Sequence, residues 1–322
     1  MSVLPKLSAL RWLLLSGLAL AAGNALATEG GAGRPITGQI INPMAGIVPP
    51  APGEVFATVS SIYYDGSLGG SKQLPLGNTV VTNVDMKVAY NYLGLSYIWK
   101  TAPSAWSYAS GIVLPFQYTD ISGSVTGSAG LLNRSGSDSS TQMADILFVP
   151  LAIGYHFSKT EHMALSLQFY APTGSYDANR LANAGQNTWT FMPSLAYTRI
   201  LPESDIELSG TWGLEFYSPN SDTHYHNGAI TTLDLTAIKR FPSGWGGGAV
   251  FGWIQQISDD TGGLANEIGG NRGRTLGLGP ILTWQGKAGS TPVSASLRWV
   301  SEFDVANRPR GNGFQLNATG QF

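Results

Sequence analysis

The chain closes on Gly313-Phe314-Gln315-Leu316-Asn317-Ala318-Thr319-Gly320-Gln321-Phe322, and these residues alternate without a break. Phe314, Leu316, Ala318, Gly320 and Phe322 share one face, while Gln315, Asn317, Thr319 and Gln321 share the other. Successive side chains of a strand point to opposite faces, so the stretch presents one apolar wall backed by one uncharged polar wall. A terminal strand of this form with an aromatic last residue has the character of the sorting signal of bacterial outer-membrane barrels. Half-buried strands of soluble sandwiches also alternate, so the rest of the chain has to repeat the pattern.

It does. Trp189, Phe191, Pro193, Leu195 and Tyr197 oppose Thr188, Thr190, Ser194, Ala196 and Thr198. Ile206, Leu208, Trp212, Leu214 and Phe216 oppose Asp205, Glu207, Ser209, Thr211 and Glu215, and the same holds over 162–170 and 293–302. An apolar outside and a polar inside, in segments of about ten residues, mark a transmembrane barrel. Counting such segments predicts strands near 53–64, 81–100, 106–125, 142–157, 162–176, 187–200, 205–218, 229–241, 246–257, 274–284, 292–302 and 312–322. Short connections at 101–105, 158–161, 201–204, 242–245 and 285–291 alternate with longer polar ones at 65–80, 126–141, 177–186, 219–228, 258–273 and 303–311. Short periplasmic turns and long external loops belong to an up-and-down barrel. Tyr63, Tyr64, Tyr97, Trp99, Trp106, Tyr108, Tyr155, Tyr197, Tyr217, Trp245, Trp284 and Trp299 fall near segment ends, as interfacial girdles do. The expected fold is therefore all-β: a closed, antiparallel, up-and-down transmembrane β-barrel of about 12 strands with an N-terminal plug-like segment.

Export is written at the other end. Lys6 and Arg11 precede an apolar run from Trp12 to Ala22, and Ala25-Leu26-Ala27 fits the small-residue cleavage rule, so residues 1–27 read as a secretory signal. The run is about half the roughly 20 residues that span a bilayer as a helix, and no later stretch approaches that length. Charged residues are 12% of the chain against about 25% in soluble domains, and there is no cysteine for disulfide or thiol chemistry. A net charge of −2 gives no footprint for nucleic acid. The expected location is the outer membrane of a Gram-negative bacterium. Its partners there are outer-membrane lipids and lipopolysaccharide, the assembly machinery acting through the strand that ends at Phe322, and a small hydrophobic solute.

Residues 28–52 fit no strand. Ile40, Ile41, Met44, Ile47 and Val48 lie between Gly30-Gly31-Ala32-Gly33 and Pro49-Pro50-Ala51-Pro52, which leaves two readings, a free periplasmic tail or a plug in the barrel mouth. The barrel proper is then 53–322. Alternation points Asp145, Gln168, Glu207, Glu215, Asp234, Arg298 and Glu302 inward, with either Asp85 and Lys87 or their neighbours. Gly248, Val250, Gly252 and Ile254, with Gly277, Gly279 and Ile281, give a second side that is apolar and poor in bulk, as glycines in strands mark bends or close approach. These residues are the expected channel lining. A ring of about twelve strands falls between filled small barrels and broad porins, so the passage is selective. Interior charges either pair with one another or define a constriction, and Arg298 is expected to face Glu215 and Asp234, or Glu302.

Ala171-Pro172-Thr173-Gly174-Ser175-Tyr176-Asp177, Asn179-Arg180-Leu181-Ala182-Asn183 and the spaced Asn187, Trp189, Phe191 and Pro193 resemble one family. It is the outer-membrane protein family named for the meta-cleavage pathway of phenol degradation. Asp145, Pro150 and Asn220-Ser221-Asp222 are similar to its pattern, and the likeness runs over most of 50–322. The resemblance implies a porin-like channel for hydrophobic or aromatic compounds, distantly similar to long-chain fatty-acid channels, and does not imply an enzyme.

Catalytic and cofactor signals are poor. There is no Gly-x-Ser-x-Gly elbow. His224 and His226 lack a third ligand, Asp259-Asp260-Thr261-Gly262-Gly263 lacks spaced calcium ligands, and Gly269-Gly270-Asn271-Arg272-Gly273 precedes no helix. No metal or cofactor is expected. Passive uptake of small hydrophobic or aromatic compounds is the favoured function. The alternatives are a purely structural barrel and an outer-membrane lipid hydrolase, for which His156 and His162 are the strand histidines and a lipid-facing Ser–His pair would be the mark.

Overall fold

A computed structural model describes residues 34–126, 133–270 and 272–322. The predicted signal sequence and the start of the 28–52 segment lie outside the described residues. The strands are β1 (Val55–Leu76), β2 (Thr79–Ile98), β3 (Trp106–Thr126), β4 (Asn133–Met143), β5 (Leu147–His156), β6 (Glu161–Tyr170) and β7 (Thr190–Leu201). They continue as β8 (Ile206–Tyr217), β9 (Ile230–Arg240), β10 (Trp245–Gln256), β11 (Arg274–Ala288), β12 (Thr291–Ala306) and β13 (Arg310–Gln321), with a single helical turn, α1 (Ala265–Ile268), between β10 and β11.

Apart from β4 and β5, consecutive strands pair antiparallel, and β13 returns to β1, so the sheet closes as a ring of twelve. The thirteenth strand arises because β4 and β5 share one partner. β3 pairs through Phe116–Thr126 with β4 and through Trp106–Val113 with β5, so both are halves of one wall strand interrupted at Ala144-Asp145-Ile146. Closure leaves no sheet edge, the condition a sheet must meet in hydrocarbon. The pleat obeys the alternation read from sequence: along β1, Thr58 is 4% exposed and the adjacent Val59 57%.

Two predicted loops are strands instead. The 65–80 connection is a hairpin in which β1 and β2 stay paired to Leu76 and Thr79 around Gly77-Asn78. Much of 126–141 is β4. Beyond the bilayer both faces of a strand can be polar, so periodicity fades while backbone pairing persists. In the other direction β6 stops at Tyr170, and residues 171–189 fold as an irregular segment against the break at Asp145.

The girdle survives with two exceptions. Trp106 packs on Tyr155 at 4.6 Å between ring centroids near one rim, and Trp299 stacks on Phe314 at 6.2 Å nearer the other. Tyr64 and Tyr217, expected among them, are buried on the inner face, where their hydroxyls donate to Glu302 and Glu215. Asp85 and Lys87 are exposed, and their neighbours Val84, Met86 and Val88 point inward.

Phe322 sits in the closing ladder: its N–H donates to the Val55 carbonyl at 2.8 Å and its carbonyl accepts from Val55 at 2.9 Å. Deletion of Phe322 removes both bonds and the aromatic terminus. The expected outcome is a lower fraction of folded, heat-modifiable protein in outer-membrane fractions, measured by gel shift; an undiminished fraction would show that the last residue is dispensable for insertion.

Candidate functional site

Residues 34–49 form no strand and are buried throughout except for the half-buried Ala45. Their partners follow one another along the inner wall from the end with the long connections to the end with the short ones. A chain segment in that position meets no neighbouring strand, so its backbone polar groups need partners from wall side chains. The inward charges supply them.

At the outer end Arg34 forms a fully buried ion pair with Asp145 at 3.0 Å. Its Nε donates to Thr190 Oγ1 at 2.6 Å, its Nη2 to the Thr188 carbonyl at 3.0 Å, and its guanidinium lies 4.3 Å from the centroid of the Tyr170 ring. Asp145 also accepts the N–H groups of Gly174 and Gln186 at 2.8 and 2.9 Å, which ties the 171–189 segment to the break between β4 and β5. Farther out on that segment Arg180 pairs with Asp138 at 2.7 Å, and this hydrogen-bonded carboxylate raises the guanidinium pKa above its ordinary value.

Deeper in, Thr37 donates to Glu302 at 2.6 Å, and Glu302 also accepts from Tyr64 at 2.8 Å and from Gly311 N–H at 2.9 Å. Asp234 accepts three backbone N–H groups, from Gly38 at 3.2 Å, Ile40 at 3.0 Å and Ile41 at 3.2 Å. From β12, Arg298 Nη1 donates to the carbonyl of Gly38 at 3.1 Å and to that of Ile41. Glu207 accepts Met44 N–H at 2.6 Å while pairing with Arg240, and Thr198 accepts Gly46 N–H at 2.9 Å.

Glycine makes room for this segment. A Cβ on Gly252 would lie 2.3 Å from the Gly38 nitrogen, and one on Gly277 would lie 2.8 Å from Thr37 Cγ2. The bulk-poor side expected from sequence is therefore occupied by Thr37-Gly38. Gly248 and Gly279 act differently, since side chains there would strike the carbonyls of Ala237 and Trp299 on adjacent strands. Val250 joins Ile41, Ile238, Ile281 and Val300 in one apolar cluster, and Ile254 packs with Tyr217 and Ile230. Gln168 bonds Ser166 and Ser194, and Glu215 accepts the Tyr217 hydroxyl.

The expected grouping of Arg298 with its acidic neighbours takes an indirect form. Arg298 and Asp234 hold the same turn, the one through its carbonyls and the other through its N–H groups. Glu302 and Glu215 instead bond Tyr64 and Tyr217.

At the inner end Ser107 Oγ lies 2.6 Å from the Val48 carbonyl and 2.7 Å from His156 Nε2, and His156 Nδ1 lies 2.8 Å from His162 Nδ1. A serine has one hydroxyl proton, and here it goes to Val48. His156 then donates through Nε2 and accepts at Nδ1 from His162. Ser107 is buried on the inner face, so this pair does not face lipid. Sequence reading missed Arg34, Thr37 and this serine–histidine chain. The available signal was a cation and a hydroxyl placed among the apolar residues of 34–48. Among the described residues no cluster of three or more metal-ligating side chains occurs, and His226 bonds the Tyr217 carbonyl.

A family profile described as "Putative MetA-pathway of phenol degradation" matches residues 70–318. The chain belongs to this family. Among solved structures it is similar to the COG4313 outer membrane channel from Pseudomonas putida F1, with 15% identity and a TM-score of 0.67 over 86% of this chain and all of that one. It is also similar to the beta domain of the Bordetella autotransporter BrkA, with 13% identity and a TM-score of 0.50 over 83% of this chain and all of that one. Both likenesses establish the outer-membrane barrel fold. No curated protein matches the chain in sequence.

Asp234→Asn replaces an acceptor of three N–H groups with an amide whose NH2 half repels them. Charge-assisted hydrogen bonds are worth about 1.5–3 kcal/mol each. Amide hydrogen exchange at Gly38, Ile40 and Ile41 is expected to accelerate at least about tenfold in a barrel that stays heat-modifiable. Unchanged protection would mean that other contacts hold the turn.

Proposed function

We propose that the protein is an outer-membrane channel for passive uptake of small hydrophobic or aromatic compounds, and that residues 34–48 are its plug. The observation that carries the reading is the fixed course of that segment along the lumen, bonded to β3, to the break before β5 and to β7, β8, β9 and β12 by the inward charged and hydroxyl side chains. A barrel so occupied excludes bulky hydrated solutes, while its inner surface keeps apolar and aromatic contacts, among them Tyr90 and Tyr92 with ring centroids 5.9 Å apart. Asp145, Gln168, Glu207, Glu215, Asp234, Arg298 and Glu302, with the glycine and aliphatic residues of β10 and β11, line the route on this reading. Membership of the phenol-degradation family is consistent with an aromatic solute.

The hydrolase alternative draws no support from Ser107, whose hydroxyl proton is committed to Val48 and whose neighbour His156 is a donor toward it. We read the serine as a clasp on the plug and the chain as a transporter.

Cells that produce the chain are expected to take up labelled toluene or benzoate faster, at limiting concentration, than cells that lack it. Equal rates would favour a purely structural barrel. In planar bilayers, deletion of 34–48 is expected to raise single-channel conductance several-fold, and Gly252→Leu, which drives a side chain into Gly38, to raise it in the same direction. Unaltered conductance in both variants would sink the plug reading.

A further inference from the structure

A second site lies at the outer end, away from the segment's main contacts. Beyond the Trp299–Phe314 stack, β1 and β13 remain paired as far as Ser67 and Arg310 and then diverge. Between the outer part of β1 and the β12–β13 connection lies an open cavity of about 470 Å³. Lys72, Arg308 and Arg310 line it, with Asp304 as its carboxylate and Leu68 and Val305 as apolar wall. Asp304 is already paired with Arg274 at 3.0 Å. Two of the cations are positioned by main-chain carbonyls: Arg310 Nε donates to Glu302 O at 3.1 Å, and Arg308 Nη2 to Pro35 O at 2.8 Å. Arg308 also lies in the field of Glu302 and Glu215, so the exposed Lys72 and Arg310 carry the cavity's positive charge.

We propose that this cavity captures the anionic head of a small amphiphile, a single carboxylate or phosphate on a short apolar or aromatic body. The cations fit the head, because guanidinium groups bind oxyanions through paired N–H donors. Leu68 and Val305 fit the body. The volume lies within the roughly 300–1,000 Å³ of small-molecule sites, which suits a substituted benzoate and not a whole lipid A. The position fits a first stop on the route: Arg308, buried in the wall of the cavity, bonds Pro35 at the outer start of the segment that fills the lumen. The inference rests on the channel reading for its role in uptake, although binding can be measured without it.

The test uses the full-length barrel in detergent and two probes of one shape, 4-butylbenzoate and neutral 4-butylbenzyl alcohol, titrated by calorimetry. The wild type is expected to prefer the acid. Lys72→Gln with Arg310→Gln, two exposed positions that leave the barrel heat-modifiable, is expected to weaken the acid about tenfold and leave the alcohol unchanged. No preference in the wild type, or an undiminished preference in the variant, overturns the proposal. Phosphate assays of lipopolysaccharide retained through purification form the second arm. Loss of retained lipopolysaccharide in the variant with unchanged acid binding would assign the cations to a lipid headgroup and also overturn it. Uptake of toluene separates this idea from the channel reading. Absence of toluene uptake in the wild type would sink the channel while leaving the binding result to stand.

Discussion

Three backbone N–H groups converge on the carboxylate of Asp234, and much of the interior follows from that arrangement. An irregular segment inside a closed barrel brings in donors and acceptors that no strand can satisfy, and each one left unpaired costs about 1–3 kcal/mol. The wall answers with ionisable side chains spaced along the segment: Asp145 for Arg34, Glu302 for Thr37, Asp234 and Arg298 for Gly38–Ile41, and Glu207 for Met44. Charges that would be expensive in the lumen by themselves become the segment's hydrogen-bond partners. Neutralising any one of them leaves its counterpart buried and unpaired, the costlier half of such a contact.

The two sides of the wall divide the work. The side formed by β9 to β12 approaches the segment closely, using Gly252 and Gly277 for clearance and the Val250 cluster for apolar contact with Ile41. Near the fourth wall strand, a single buried carboxylate holds both the segment and the 171–189 insertion, which also bonds the break through Ala171 N–H to the Ile146 carbonyl and Ser175 N–H to the Met143 carbonyl, each at 3.0 Å.

Alternation made the ring legible, because a side-chain period of two states which face each residue occupies. Glu207, Asp234, Arg298 and Glu302 could be assigned inward on that ground alone. What they touch could not be read, since periodicity carries no information about a partner such as Met44, 163 positions from Glu207. The segment itself kept two readings because five apolar residues fit either a tail or a buried strand-free piece, and Thr37 and Arg34 gain meaning only beside Glu302 and Asp145. The strand extents failed for a different reason. Where β1, β2 and β4 rise beyond the bilayer, water replaces lipid on the outer face and the selection for apolar residues there ends, so Asp65–Leu68 reads as a loop while its backbone forms a ladder.

The course of residues 34–48 also bears on how the ring comes together. The pairing that shuts it brings Thr58 to Thr319, 261 residues apart. Glu207, Asp234, Arg298 and Glu302 all belong to the run from β8 to β12. With Thr37 bonded to Glu302, only about twenty residues on either side separate that point from the closing pair. Shortening the effective loop in this way lowers the entropic cost of closure by about 2 kcal/mol, because that cost grows with the logarithm of loop length. Contacts inside the lumen thus shorten the span that closure of the wall has to bridge.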